Sequence, residues 1–264
     1  NFIGGIIGRF SGVKASIGGI RSSIIDRKKV ILNRLLHNYI NKYTIFNNYS
    51  GVENLSRIGF KKNKCIVIPN AIEINKYPIK RNYSKVINIL SVGRFHPAKD
   101  YYTSLMAIKI LSKKLDHFKY YIIGYGYLEK EIRKLINDFG LTNFVTIKIN
   151  PNNIGDFYIK SHIYLLTSIY EGLSNTIMEA MSYSLPIVAT NVGDNNRLVK
   201  NGVNGFIEEV KDYNGISECL FKLITQYKNL EKFGNNSFKI LKENYSFEQF
   251  QKRYFNFLKN LDNV

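Results

Sequence analysis

The sequence has few cysteines and no long apolar run. Its two cysteines, Cys65 and Cys219, stand far apart and have no neighbours that could complete a metal site. This pattern excludes a disulfide framework and a zinc motif, and it fits a reducing compartment. No apolar run approaches the roughly 18 residues of a membrane-spanning helix, and no cleavable signal peptide is recognisable. We therefore expect a cytoplasmic protein in which both cysteines are inert.

Acidic residues are also scarce, with 20 of them against 38 lysines and arginines, so the net charge is +18. Residues 1–85 contain 16 basic and 3 acidic side chains, which leaves only +5 for the remainder. A bias towards Lys, Asn and Ile explains the composition but not this asymmetry. A basic region attracts anionic partners. We expect peripheral association with the cytoplasmic face of a membrane and no nucleic-acid binding, because no nucleic-acid motif is present.

From residue 86 onward, short apolar runs alternate with helical patterns. The runs are nearly continuous, which is typical of strands buried on both faces of a parallel sheet. Strands are predicted at 86–92, 120–123, 144–149, 163–166 and 187–189, and helices at about 100–115, 126–139, 174–184 and 194–200. The alternation predicts a doubly wound α/β domain with a sizeable core. Ligands bind such sheets beyond the carboxyl ends of the strands.

The first 85 residues show the same alternation on a smaller scale. Strands are predicted at 13–20, 42–46 and 64–68, and helices at about 26–39 and 49–58. Three strands make a poor independent sheet, and the sequence does not begin with Met. We therefore expect the rear part of a second α/β domain, whose beginning lies outside this sequence. The polar stretch 73–85 is interpreted as a linker. This gives three segments, 1–80, 81–243 and a helical end at 244–264.

The segment 170–181 combines a loop, a helix start and two acids. Gly172 lies in the loop, and Ser174 or Asn175 can cap the following helix. A helix start presents free backbone N–H groups and a positive dipole end, which attract anions. Glu171 precedes the helix and Glu179 lies in its second turn. Carboxylates accept hydrogen bonds from sugar hydroxyls.

A second segment, 91–100, carries two cations at the end of a buried strand. Gly93 ends the strand, Arg94 and Lys99 follow in the loop, and Asp100 can cap the next helix. Arginine grips a diphosphate as a fork and lysine acts as a point charge. His96, between the two cations, is a further candidate for the same pocket.

Together these segments resemble glycosyltransferase family 4, whose signature is two glutamates separated by seven residues. The segments 185–193 and 201–206 also resemble that family, and the similarity covers residues 64 to about 260. The resemblance implies a GT-B fold and retention of anomeric configuration. It also implies that Glu171 contacts the transferred sugar, Glu179 the ribose, and Arg94 and Lys99 the diphosphate. The backbone contacts with sugar and phosphate would come from Gly172, Leu173, Ser174 and Asn175.

Two further positions are assigned to the same pocket. Gly124, within Gly124-Tyr125-Gly126, follows a strand, where a tight turn alone would also explain it. Asn150 ends the next strand near the expected nucleotide base, where the resembled family commonly has glycine. Ala71 likewise stands where glycine is usual. The terminal helix, with its aromatic stripe and a Ser246 cap, resembles one that crosses back to the first domain.

The resulting hypothesis is a retaining transferase that moves a hexosyl group from a UDP- or GDP-sugar to a glycan or lipid-linked acceptor, in surface polysaccharide or glycolipid synthesis. No cofactor or metal is expected, because cations and helix N–H groups serve the leaving group and no Asp-x-Asp motif occurs. Two alternatives are a nucleotide-sugar epimerase of GT-B architecture and a non-catalytic basic module that binds membrane or nucleic acid.

Overall fold

The computed structural model describes residues 15–21, 27–81, 83 and 86–262, and these form two compact units. One unit contains the described residues up to Ala71 together with those from Tyr245. The other extends from Ile72 to Asn244. The prediction for residues 13 and 14 lies outside the described residues.

The smaller unit contains a parallel sheet in the order β1-β2-β3. Its elements are β1 (Ile17–Ile20), α1 (Arg27–Leu35) with a π-helical turn (Leu36–Ile40), β2 (Tyr43–Phe46), α2 (Tyr49–Ser56) and β3 (Cys65–Val67). Asn48 caps α2, since its side chain accepts from the backbone N–H of Gly51 at 2.6 Å. The C-terminal helix (Phe247–Asp262) begins after Ser246, whose hydroxyl accepts from the N–H of Gln249 as predicted. Phe46 and Leu55 lie in the buried core.

The larger unit contains a six-stranded parallel sheet in the order β6-β5-β4-β7-β8-β9. The strands are β4 (Ile87–Val92), β5 (Phe118–Gly124), β6 (Val145–Ile149), β7 (Ile163–Leu166), β8 (Ile187–Thr190) and β9 (Gly205–Glu208). The strand order reverses next to β4, because β5 and β6 extend the sheet on one side of it and β7, β8 and β9 on the other. A crevice is therefore expected beyond the ends of β4 and β7. The sequence did not predict β9, which has four residues and begins with glycine.

The helices of this unit are α3 (Tyr101–Ser112), α4 (Glu129–Asp138), α5 (Gly155–Lys160), α6 (Asn175–Ser182), α7 (Asn195–Leu198), α8 (Tyr213–Thr225) and α9 (Leu230–Tyr245). Adjacent residues of β4, Ile89 and Leu90, are both fully buried although they point to opposite faces. The predicted doubly wound α/β fold is thus confirmed. Among the residues described, none of the helices combines the length and apolar character that crossing a bilayer requires.

Arg81 attaches the predicted linker to the larger unit. Its guanidinium donates to the backbone carbonyls of Ser161 at 2.7 Å, Ser184 at 2.9 Å and Tyr158 at 3.2 Å, and also to that of Tyr183. Burial lowers the pKa of Arg81 to about 10. The polar composition of this stretch therefore reflects, in part, hydrogen bonds to protein carbonyls rather than contact with water alone.

Replacing Arg81 with alanine is expected to destabilise the larger unit by about 3 kcal/mol, because several partly buried carbonyls lose a charged donor. Urea unfolding followed by circular dichroism measures the change. Lys80→Ala is the matched control, since Lys80 is the exposed neighbour. Equal stability of the two variants would show that these carbonyls are satisfied by water instead.

Candidate functional site

The site lies at the carboxyl ends of β4 and β7, where two loops are tied together by backbone contacts. The N–H of Ile169 donates to the carbonyl of Ala98 at 2.9 Å. The hydroxyl of Thr167 donates to the carbonyls of Lys99 at 3.1 Å and Asp100 at 3.0 Å. The loop with the predicted cations and the loop with the first glutamate therefore form one packed assembly.

Lys99 and Glu171 form an ion pair across these loops. The distance from Lys99 Nζ to Glu171 Oε1 is 2.6 Å, and each side chain is only 17% exposed. Ser168 donates from its hydroxyl to the same carboxylate oxygen at 2.8 Å. A side chain at Gly93 would place its Cβ 3.1 Å from Lys99 Cε. Glycine at this position therefore leaves room for the lysine stem.

A short 3₁₀ turn (Pro97–Lys99) presents Lys99 to the crevice. His96 caps this turn, because its Nδ1 accepts from the N–H of Ala98 at 3.2 Å, and its ring meets the edge of Tyr127. The next residue after the turn, Asp100, has a left-handed φ of 45° and accepts from the N–H of Thr103 at 3.2 Å. The predicted cap at Asp100 is therefore present, and His96 supports the turn that carries Lys99.

Arg94 lies in the same loop, directly after Gly93. Its side chain is exposed, and within the described parts of the chain its guanidinium makes no hydrogen bond or ion pair that competes with a ligand. The backbone carbonyl of Arg94 accepts from the N–H of His96 at 2.9 Å, which bends the loop. Arg94 is thus near Lys99 in sequence and loop position, but the two cations differ in exposure.

Glu179 occupies the second turn of α6 and is held by a tyrosine. Its Oε2 accepts from the hydroxyl of Tyr158 at 2.8 Å. Ile177 and Met181 are fully buried on the core side of α6, as expected. Burial raises the pKa of Glu179, whereas the Tyr158 hydrogen bond and the positive charge of Lys99 act in the opposite direction. Lys99 therefore forms an ion pair with Glu171 and also opposes the rise in the pKa of Glu179.

The N-terminus of α6 is capped by Ser174. The hydroxyl of Ser174 accepts from the N–H of Ile177 at 3.5 Å, and Asn175 is the first helical residue, with an exposed side chain. Leu173 is buried. The carbonyl of Gly172 accepts from the N–H of Asp194 at 2.8 Å, so this group is already bonded to the loop after β8.

Gly124 and Asn150 lie at the same edge of the sheet, since Gly124 is the last residue of β5 and Asn150 directly follows β6. A Cβ at Gly124 would lie 1.9 Å from the carbonyl oxygen of Gly93, so a side chain there would force the two loops apart. Asn150 has a φ of 44° and donates its N–H to the carbonyl of Gly124 at 3.4 Å. Asparagine tolerates the left-handed region better than most residues. This explains why asparagine can stand at a position where glycine is common.

Comparison with known proteins identifies the family. The model of the family described as glycosyl transferases group 1 matches residues 74–240, which include the whole site described above. The chain belongs to this family. An uncharacterised glycosyltransferase of Haemophilus influenzae is 32% identical over 164 residues, covering 61% of this chain and 46% of the relative. CapM of Staphylococcus aureus, a capsular polysaccharide biosynthesis glycosyltransferase, is 29% identical over 180 residues, covering 64% of this chain and 46% of the relative.

The fold agrees with that assignment. The crystal structure of HepE from Anabaena in complex with UDP superposes with a TM-score of 0.89 at 17% identity, covering 98% of this chain and 76% of HepE. This likeness shows that the group 1 chain has the GT-B fold of its solved neighbours. The chain spans about half the length of the curated relatives named above.

Sequence reasoning missed three residues that support the site in this group 1 chain. Tyr158 binds Glu179, Ser168 binds Glu171, and Tyr101 donates from its hydroxyl to the carbonyl of Gly93 at 3.1 Å. Ser168 stands at a strand end, where the position alone marks it as a candidate. Tyr158 and Tyr101 lie in helices among other aromatic residues, and no local pattern distinguishes them.

Proposed function

We propose that this chain is the donor-binding part of a retaining glycosyltransferase, which moves a hexosyl group from a UDP- or GDP-sugar to a glycan or lipid-linked acceptor. The observation that carries the proposal is the half-buried Lys99, which pairs with Glu171 and whose charge acts on Glu179 at the point where the strand order reverses. CapM, which is named for capsular polysaccharide biosynthesis, supports a glycan product, and HepE, which was crystallised with UDP, supports a nucleotide-sugar donor. Surface polysaccharide or glycolipid synthesis is the proposed setting.

The proposed reaction breaks the bond between the anomeric carbon and the diphosphate oxygen. The oxygen of the acceptor hydroxyl forms the new bond to that carbon, and the hydroxyl proton passes to the departing diphosphate. Negative charge develops on the departing diphosphate. Lys99 and Arg94 would stabilise that charge, because preplaced cations lower the barrier most where the charge develops. Lys99 is held by its ion pair with Glu171, and its stem occupies the space that Gly93 leaves open. Little reorganisation of Lys99 is therefore required during the reaction. Arg94 is exposed and remains available to the phosphates.

The two carboxylates would divide the remaining donor contacts. Glu171 would accept from hydroxyls of the transferred sugar while it holds Lys99. Glu179 would accept from the ribose hydroxyls, and the backbone from Gly172 to Asn175 would approach the sugar and phosphate. In this arrangement protein cations neutralise the leaving group, so we propose a metal-independent reaction. Gly93, Gly124 and Asn150 would shape the wall beside the nucleotide.

The two units would have different tasks. The larger unit would bind the donor, and the smaller unit would form part of the acceptor side. The basic character of residues 1–85 supports a further proposal of peripheral membrane association, since juxtamembrane lysines and arginines are attracted to anionic lipids.

Glu171→Ala and Arg94→Ala are each expected to abolish the release of UDP or GDP from a nucleotide sugar in the presence of acceptor. Thermal-shift screening of UDP- and GDP-sugars first identifies the donor, since a ligand at 100 times its Kd stabilises by about 2.7 kcal/mol. Nucleotide release is then measured for both variants. Glu131→Ala, which removes an exposed acid on α4, is the matched control. Unchanged turnover in both site variants would reject the assignment of the site.

A further inference from the structure

Tyr158 is buried beneath the proposed ribose-binding carboxylate. It is only 2% exposed, and its hydroxyl lies 2.8 Å from Glu179 Oε2. Its ring stacks on Tyr183 with centroids 5.0 Å apart and an angle of 9° between the planes. It also stacks on Tyr164, with centroids 6.2 Å apart. Two neighbouring rings therefore restrict the Tyr158 ring and, with it, the position of its hydroxyl.

Backbone contacts fix the same stack. The guanidinium of Arg81 donates to the carbonyls of Tyr158 and Tyr183 and so joins the two residues directly. Tyr164 is anchored by its hydroxyl, which donates to the carbonyl of Val92 at 3.2 Å. Because the backbones of Tyr158 and Tyr183 and the hydroxyl of Tyr164 are each held by a hydrogen bond, the Tyr158 hydroxyl is a preorganised donor.

We infer that Tyr158 is a positioning residue for Glu179: its hydroxyl fixes Oε2 and thereby orients Oε1 towards the ribose hydroxyls of the donor nucleotide. The inference rests on the proposed function, since it requires Glu179 to bind the ribose. A carboxylate on a side chain with three rotatable bonds has many orientations, and one fixed oxygen removes most of them. Neither the sequence motif nor the helix position of Glu179 supplies this constraint.

The same hydrogen bond also opposes the protonation of Glu179. Within the described part of the chain, three titratable groups face this carboxylate: Tyr158 on α5, Lys99 in the loop after β4, and Tyr164 on β7. Burial raises the pKa of Glu179, and Tyr158 and Lys99 oppose that rise. Only the ionised carboxylate has both oxygens free to accept, so nucleotide affinity falls as the pH falls through this raised pKa. Loss of the Tyr158 hydroxyl raises the pKa further and moves the acid limb to higher pH.

The test compares UDP binding by Tyr158→Phe and wild type in isothermal titration calorimetry between about pH 5.5 and 8, with GDP as a second probe. We expect about tenfold weaker binding of UDP by the variant near neutral pH, because the carboxylate that is no longer held must lose rotamer freedom when the ribose binds. The ratio of the two Kd values is expected to grow as the pH falls. Taking this ratio cancels the titration of the nucleotide itself.

Tyr183→Phe is the matched control, because it removes a hydroxyl from the same stack that makes no hydrogen bond to Glu179 in the structure. It is expected to follow wild type at every pH. A second ligand, 2′,3′-dideoxy-UDP, lacks the ribose hydroxyls, and Tyr158→Phe and wild type are expected to bind it equally well. A merely structural role for Tyr158 would weaken both ligands alike and would leave the Kd ratio independent of pH.

A second substitution keeps the test decisive if Tyr158→Phe does not fold. Site-specific 3-fluorotyrosine at position 158 preserves the ring and makes its hydroxyl a stronger donor, so the acid limb is expected to move to lower pH. Wild type that binds neither UDP nor GDP would refute the proposed function itself. Wild type that binds UDP while Tyr158→Phe, or the fluorinated protein, shows the wild-type pH profile would refute only the role of Tyr158.

Discussion

Replacement of Lys99 by alanine is expected to lower nucleotide release about 100- to 1000-fold, which corresponds to about 3–4 kcal/mol of barrier. Lys99 is the half-buried cation of the site, and its ammonium group lies 2.6 Å from Glu171. Its removal takes away the charge that would face the developing negative diphosphate. It also leaves the Glu171 carboxylate with Ser168 but without its cation, in a position where only 17% of the side chain reaches water.

The measurement is steady-state release of UDP or GDP, with the donor identified by thermal shift. Lys113→Ala is the control, since Lys113 is an exposed lysine at the end of α3 and its removal changes the net charge equally. Lys99→Arg preserves the charge but not the compact ammonium group, and we expect partial activity. If Lys99→Ala retained the turnover of the Lys113 variant, the leaving-group charge would have to be stabilised elsewhere.

The clustering of the candidate site residues could be predicted because it depends on strand ends. Apolar runs mark buried strands, and the carboxyl ends of parallel strands lie at one edge of the sheet. Lys99 and Glu171 are 72 residues apart in the chain, yet the strand pattern placed both at that edge. The cap at Ser174 and the cap at Asp100 could be predicted too, since both depend on contacts within three residues.

The supporting residues could not be predicted because their partners lie far away in sequence. Tyr158 is 21 residues from Glu179, and Arg81 is 103 residues from Ser184. Nothing in a local pattern distinguishes an arginine that binds carbonyls from one that is solvated. The four-residue strand β9 was missed for a related reason, because its place is fixed by pairing with β8 rather than by an apolar run of its own.

Replacement of Gly193 by alanine is expected to destabilise the larger unit by about 2–4 kcal/mol and to reduce nucleotide binding strongly. Gly193 has a left-handed φ of 56°, and a Cβ there would lie 2.4 Å from the carbonyl oxygens of both Glu171 and Gly172. The strain of the backbone alone costs about 1–2 kcal/mol, and the contact adds a cost typical of overpacking. The loop from Glu171 to Gly172 must therefore move away from Gly193, and this shift disturbs the position of Glu171.

Gly202→Ala separates the two causes of that effect. Gly202 also has a left-handed φ, 74°, but a Cβ at this position would meet nothing within 4 Å. Urea unfolding should show about 1–2 kcal/mol for Gly202→Ala, from the backbone alone, and its nucleotide affinity should equal that of wild type. Gly193→Ala should lose affinity as well as stability, because only there does the added methyl group press on the loop that carries Glu171. If the two variants lost the same stability and neither lost nucleotide affinity, the loop would yield without disturbing the ion pair. Gly193 would then serve the turn rather than the site.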